Sequence, residues 1–139
     1  MAVKLSQDRR QAMIDEWRGQ VAALLDQVAG WAHSQGWRVE RTDTTVREDR
    51  LPEYPAQTLE IQISEENQVY LEPIARFTFS GRGVVELKGW PSLRRVRLEP
   101  TDSGAGATSW IVMTDSGIPL RQDWNGRNFA TLVQDLVAE

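Results

Sequence analysis

Two segments of the chain, one near each end, show the hydrophobic spacing of an amphipathic helix. In the first segment, apolar residues recur every three or four positions, at Met13, Ile14, Trp17, Val21, Leu24, Leu25, Val28, Trp31 and Ala32. Ser6 suits the N-cap, and Gly36 suits the residue after the helix end. The predicted helix has about 29 residues and a length of about 43 Å. Because Gly19 and Gly30 each disfavour a helix by about 1 kcal/mol relative to alanine, a kink or an early end near Gly30 is an alternative.

The second helical segment lies close to the C-terminal end of the sequence. Its apolar stripe consists of Phe129, Leu132, Val133, Leu136 and Val137. Asn125 is a suitable N-cap, and Trp124 stands where it can pack on Phe129 as a hydrophobic staple. These residues predict a C-terminal helix.

Between the two helices, apolar residues alternate with polar ones, which is the pattern of half-buried strands. The predicted strands cover residues 37–48, 59–63, 69–79 with a break at Pro73, 85–87, 93–99 and 110–112. In the fifth strand, Val96 and Leu98 are predicted to point inward, with Arg95 and Arg97 outward. Residues 49–55 are predicted to form a loop because their prolines oppose regular pairing, and residues 101–107 a loop rich in small residues.

This order of elements predicts an α+β fold. Hairpin-length connections indicate an antiparallel meander of about four to six strands, with the long N-terminal helix and the C-terminal helix packed on one face. The mixed polarity of the first strand places it near a sheet edge. With 139 residues, the chain is predicted to be a single domain, 1–139.

The composition argues against several classes of protein. The chain has no cysteine and one histidine, so disulfides, thiolate catalysis and cysteine-based zinc sites are excluded. No apolar run approaches the roughly 20 residues of a membrane span, and no signal peptide is recognisable. We therefore expect a cytoplasmic protein with no membrane association, cofactor or metal.

Charge is distributed unevenly along the chain. Residues 76–97 carry six basic side chains and one acidic side chain, against a total net charge of −4. Such asymmetry can mark a surface that faces a partner, although charged outward residues on strands also have a purely solvating role. A module that binds nucleic acid through this basic segment, with Trp90 stacking on a base, is one alternative function.

Candidate chemistry is limited to two features. His33, the single histidine, is predicted near the end of the first helix, where the helix dipole and solvent favour it, and no nucleophile motif accompanies it. Glu86-Leu-Lys88 resembles the E-x-K half of the PD-(D/E)xK nuclease signature. That resemblance implies a metal-dependent nuclease site at Glu72, Glu86 and Lys88 as a second alternative. The sequence assigns no catalytic residue, and an enzyme is not expected.

The favoured interpretation is a non-catalytic protein-interaction module: an accessory subunit, adaptor or small regulator in a larger bacterial assembly. Tryptophan and arginine are enriched in interface hot spots. The candidate interaction residues are therefore Arg82, Trp90, Arg94, Arg95 and Arg97. If the first helix is continuous, its far end needs covering, which also allows a homodimer through that helix.

Overall fold

One six-stranded sheet and two helices make up the architecture. The computed structural model describes residues 6–78, 82–102 and 108–138. In chain order the elements are α1 (Gln7–Ser34), β1 (Arg38–Glu48), β2 (Leu51–Gln62), β3 (Gln68–Ala75), β4 (Val84–Trp90), β5 (Arg95–Asp102), β6 (Thr108–Thr114) and α2 (Gly126–Val137). Each strand pairs antiparallel with its neighbours in sequence, so the strand order is β1-β2-β3-β4-β5-β6. The predicted α+β meander with a helix at each end is confirmed, and β1 is an edge strand as predicted.

The first helix is continuous from Gln7 to Ser34. Ser6 caps its N-terminus by accepting a hydrogen bond from the backbone N–H of Arg9 at 3.1 Å, and Gly36 follows its end at φ +80°. The alternative of an early end near Gly30 is wrong. The far half of the helix packs on the sheet and on α2, which bury its apolar stripe.

The second helix begins at the predicted cap. The Asn125 side chain accepts a hydrogen bond from the backbone N–H of Asn128 at 2.9 Å, and the rings of Trp124 and Phe129 lie 5.8 Å apart. Trp31 of α1 joins these two rings at 5.2 and 5.7 Å. The predicted staple is confirmed, and it extends into an aromatic cluster that covers the far end of α1 within this chain.

The two faces of the sheet differ in what covers them. Both helices pack on one face, where alternate strand residues are buried in a single cluster that includes Leu59, Ile61, Val69, Leu71, Leu87, Val96, Leu98 and Val112. The intervening residues point to the opposite face, which we call the open face. Arg95 and Arg97 lie there, exposed, as predicted.

The prediction of a loop over residues 49–55 is wrong, because β2 begins at Leu51 and includes both Pro52 and Pro55. Residues of β2 pair with β3 only from Leu59 onward. Proline has no backbone N–H to donate to a neighbouring strand. Residues 51–58 of β2 have no β3 strand beside them, so on that side no hydrogen bond is lost at Pro52 or Pro55. This part of β2 pairs with β1 alone, as a two-stranded ribbon.

The third strand ends earlier than predicted. It passes through Pro73, which pairs with Val85, and the register shifts between Pro73 and Ala75. A bulge therefore replaces the predicted break. Phe77 follows the strand and is half-buried against the core, whereas Phe79 lies outside the described residues. Of the predicted loop over residues 101–107, the first two residues belong to β5 and the remainder lies outside the described residues.

Candidate interaction surface

The turn between β4 and β5 is fastened to the C-terminal end of α2. The Ser92 hydroxyl donates a hydrogen bond to the carbonyl of Leu136. The Arg94 guanidinium donates to the carbonyls of Asp135, at 2.8 Å, and Ala138. The last carbonyls of a helix have no partner within the helix, and a cation there also interacts favourably with the helix dipole. Residues 90–94, here called the Trp90 turn, are thus held in place by the end of α2.

A close approach of backbone to backbone completes this attachment. A Cβ atom added at Gly89 would lie 2.6 Å from the Leu136 carbonyl oxygen, so only glycine allows α2 to pack this closely on β4. Across the base of the turn, the backbone N–H of Gly89 donates to the Arg94 carbonyl at 2.8 Å. The turn is therefore rigidly connected at both of its ends.

The Trp90 turn exposes two large apolar side chains. Trp90 is 49% exposed and Leu93 is 55% exposed. Leu93 adopts φ +64°, a left-handed conformation that is unfavourable for residues other than glycine and often marks functional turns. Exposed apolar surface and backbone strain therefore coincide at one position that α2 holds rigid.

The five candidate interaction residues have different environments. Trp90 is exposed, whereas Arg94 caps α2 and so has a structural role. Arg95 forms ion pairs with Glu86 at 3.6 Å and Asp115 at 3.5 Å. Arg97 and Arg82 are exposed, Arg97 on the open face and Arg82 after β3, far along the sheet from the Trp90 turn. The structure therefore does not bring all five residues into one patch.

A row of charged residues crosses the open face from β1 to β5. Successive register partners along it are Glu40, Glu60, Tyr70, Lys88 and Arg95. Two acidic residues occupy one end of this charged row and two basic residues the other. Neighbouring strands lie about 4.8 Å apart, so the row is about 19 Å long.

Tyr70 stands at the centre of the charged row. Partial burial raises the pKa of its hydroxyl, and the nearby carboxylates of Glu60 and Glu72 raise that pKa further. Both causes disfavour the phenolate. Tyr70 therefore remains a neutral aromatic side chain between the acidic and basic ends of the row.

Acidic residues interrupt the basic segment on this face. Glu72 and Glu86 are register partners on β3 and β4, and Glu86 in turn lies opposite Arg97. The positive charges of residues 76–97 thus do not form a continuous stripe among the described residues, as a nucleic-acid groove would require. Nucleic-acid binding stays a prediction that this charge pattern does not favour.

The nuclease-like residues do come together in part. Glu72 and Glu86 are adjacent across two strands, and Lys88 lies on the same face of β4. The Glu86 carboxylate, however, is paired with the Arg95 guanidinium. Within the described ranges, no group of three or more histidine, cysteine or acidic side chains is placed to hold a metal ion. His33 is exposed in the last turn of α1.

A half-buried polar cluster, which the sequence did not indicate, closes the tip of the β1–β2 ribbon. The Glu48 carboxylate accepts hydrogen bonds from the Tyr54 hydroxyl at 2.6 Å and from the backbone N–H groups of Arg76 at 2.9 Å and Phe77 at 3.0 Å. Burial raises the pKa of Tyr54, and the hydrogen bond and charge of Glu48 raise it further, against smaller opposing effects of Trp17 and Arg76. Glu48 thereby joins the ribbon to the segment that follows β3.

A cleft lies beside this cluster, between α1 and the ribbon. Its volume is about 200 Å³, and Trp17, Val21 and Leu25 of α1 face Tyr54 and Pro55 of β2 across it. The cleft exists because β2 separates from β3 before Leu59. A cavity of this size is smaller than the roughly 300–1,000 Å³ of ordinary ligand pockets, so this cleft is not a typical ligand site.

Comparisons with protein-family models, with curated proteins and with solved structures found no match to this chain. In the part of the chain that the structure describes, no helix is long and apolar enough to cross a membrane.

Proposed function

We propose that this chain is a non-catalytic protein-interaction module whose main contact is the Trp90 turn. The observation that carries the proposal is the exposure of Trp90 and Leu93 on a turn that the end of α2 holds rigid. Tryptophan is the residue type most typical of binding hot spots, and a preorganised turn loses little conformational entropy when it binds.

The chemistry of the turn defines the kind of partner. Trp90 and Leu93 offer apolar surface, and the positively charged Arg95 lies just beyond them with acidic neighbours at 3.5 and 3.6 Å. The complementary surface is an apolar pocket with a polar rim, as in the centre of many protein interfaces. An accessory or adaptor subunit of a larger assembly fits this pattern.

The test is affinity capture from the native host with the tagged wild-type chain, W90A and I118A, each with and without nuclease treatment. Ile118 is 62% exposed and lies outside the turn, so I118A controls for the loss of an exposed apolar side chain. We expect one protein to be captured by the wild type and I118A but not by W90A. Titration of that protein should show about a 30-fold weaker Kd for W90A, which corresponds to about 2 kcal/mol.

Two results would contradict the proposal. If W90A captures the same protein with unchanged affinity, the Trp90 turn is not the contact. If the captured material disappears after nuclease treatment, the nucleic-acid alternative gains support and residues 76–97 become the surface to examine.

A further inference from the structure

The charged row contains two pairs of like charges that are unfavourable within one chain. Glu40 lies directly opposite Glu60 on β1 and β2, and Lys88 lies directly opposite Arg95 on β4 and β5. Like charges in such cross-strand positions destabilise a sheet. Among the described residues, Glu40, Glu60 and Lys88 take part in no ion pair. Arg95 is ion-paired with Glu86 and Asp115. The unpaired charges of the row are therefore negative at Glu40 and Glu60 and positive at Lys88.

The side chains on the two sides of Tyr70 in the charged row have opposite charges. Reading from β1 to β5, the residues are acidic, acidic, Tyr70, basic and basic. A two-fold axis that runs along β3 between two stacked sheets would place a second row over the first in the opposite direction. Glu60 of one copy then faces Lys88 of the other, Glu40 faces Arg95, and the two Tyr70 rings meet at the axis. The charged row is complementary to itself, as an interface between identical subunits must be. Glu72, the next outward residue of β3, meets its own copy beside the axis, and this pair of like charges weakens the contact.

We infer that the open face docks on the open face of a second copy of this chain, through the charged row. The inference goes beyond the proposed function, because the Trp90 turn lies at one end of the sheet and is not needed for the charge pairing. Two sheets stacked in this way lie about 10 Å apart with their strands within about 30° of alignment.

The area of the open face sets the strength of this contact. An axis along β3 overlaps β1 to β5 and leaves β6 uncovered. Five strands about 4.8 Å apart and about 25 Å long give a footprint of about 480 Å² per copy, or about 960 Å² in total. That is below the range for stable specific interfaces, so the dimer is expected to be weak and to dissociate on dilution. Because charge pairs contribute, the dimer should also weaken as salt concentration rises.

Charge reversal followed by sedimentation equilibrium tests the inference. The wild type, E60K and K88E are each measured from about 5 to about 500 µM, a range chosen for a small and weak interface. Each reversal places like charges together twice in a symmetric dimer, so both variants should dimerise at least about tenfold more weakly than the wild type. An equimolar mixture of E60K and K88E should dimerise again, because the two reversed positions then face each other with opposite charges and the native Lys88 of one chain faces the native Glu60 of the other.

A matched control removes the effect of net charge. Glu16 is exposed on α1, away from the open face, and E16K has the same net charge as E60K. We expect E16K alone to dimerise like the wild type. In its mixture with K88E only the E16K fraction should dimerise, whereas in the mixture of E60K and K88E both chains should. Circular dichroism confirms that each variant is folded before the comparison.

Three outcomes would overturn the inference. The first is a wild-type chain that stays monomeric up to about 500 µM at low salt, the top of the range chosen for an interface of this size. The second is a dimer that neither E60K nor K88E weakens, which would indicate another surface, such as α1. The third is a mixture of E60K and K88E that dimerises no better than each variant alone, because the two positions then do not face each other.

Discussion

Replacing Glu48 with alanine should destabilise the fold more than any ordinary surface substitution. The carboxylate accepts hydrogen bonds from the Tyr54 hydroxyl and from two backbone N–H groups, those of Arg76 and Phe77. Hydrogen bonds to a charged acceptor contribute about 1.5–3 kcal/mol each, and the contributions of neighbours do not add fully. Since the site is half-buried, we expect a loss of about 3 kcal/mol, a large share of the roughly 5–15 kcal/mol typical of a domain.

The assay is urea unfolding followed by tryptophan fluorescence, with E53A as the control. Glu53 lies on the same ribbon, but its ion pair with Arg47 at 3.0 Å is exposed to solvent and should contribute less than about 1 kcal/mol. Hydrogen exchange gives a second measurement, because the amides of Arg76 and Phe77 should lose protection in E48A alone. If E48A and E53A differ by less than about 1 kcal/mol, the carboxylate does not hold the ribbon as we infer.

Three further predictions concern stability. G83A should destabilise the fold by about 2–4 kcal/mol, because Gly83 has φ +93° and a Cβ there would lie 2.7 Å from the Trp17 ring. G117A has a similar backbone angle, φ +86°, but its Cβ would enter open space, so it should lose only about 1 kcal/mol. Equal losses in urea unfolding would contradict the steric argument. R94A should lose about 1–2 kcal/mol and fray the end of α2, which hydrogen exchange detects. Because the folded chain raises the pKa of Tyr54, its contribution to stability is fully present below the ordinary tyrosine pKa near 10 and falls as pH rises above it. Y54F should therefore show a smaller decline between about pH 10 and 12 in the same assay.

Local signals predicted the elements that local interactions determine. Ser6 and Asn125 were predicted as helix caps because a capping side chain bonds to a backbone group only three residues away. The alternation along β5 predicted which residues point inward, since the strand period depends on backbone geometry alone. These features require no knowledge of the partner strand.

Features that depend on distant residues were not predicted. Pro52 and Pro55 indicated a loop, but the objection to proline holds only where a neighbouring strand needs its N–H, and no β3 residue pairs with this part of β2. Arg94 looked like part of a basic patch, yet its hydrogen-bond acceptors are carbonyls 41 and 44 residues later. Glu48 likewise binds backbone groups 28 and 29 residues away. In neither case does the local sequence differ from an ordinary surface position.

The aromatic cluster at the far end of α1 has a consequence for how the chain is synthesised and folds. Each strand pairs with its neighbour in sequence, so the sheet can grow hairpin by hairpin as the chain leaves the ribosome. Trp31, by contrast, is covered by Trp124 and Phe129, and the nearby hydrogen bond from Trp124 to Gln27 spans 97 residues. At about 5–20 residues per second, translation of that interval takes on the order of 5 to 20 seconds. During this time the apolar end of α1 lacks the cover that Trp124 and Phe129 provide in the folded chain, so a chaperone that binds apolar segments can engage it there.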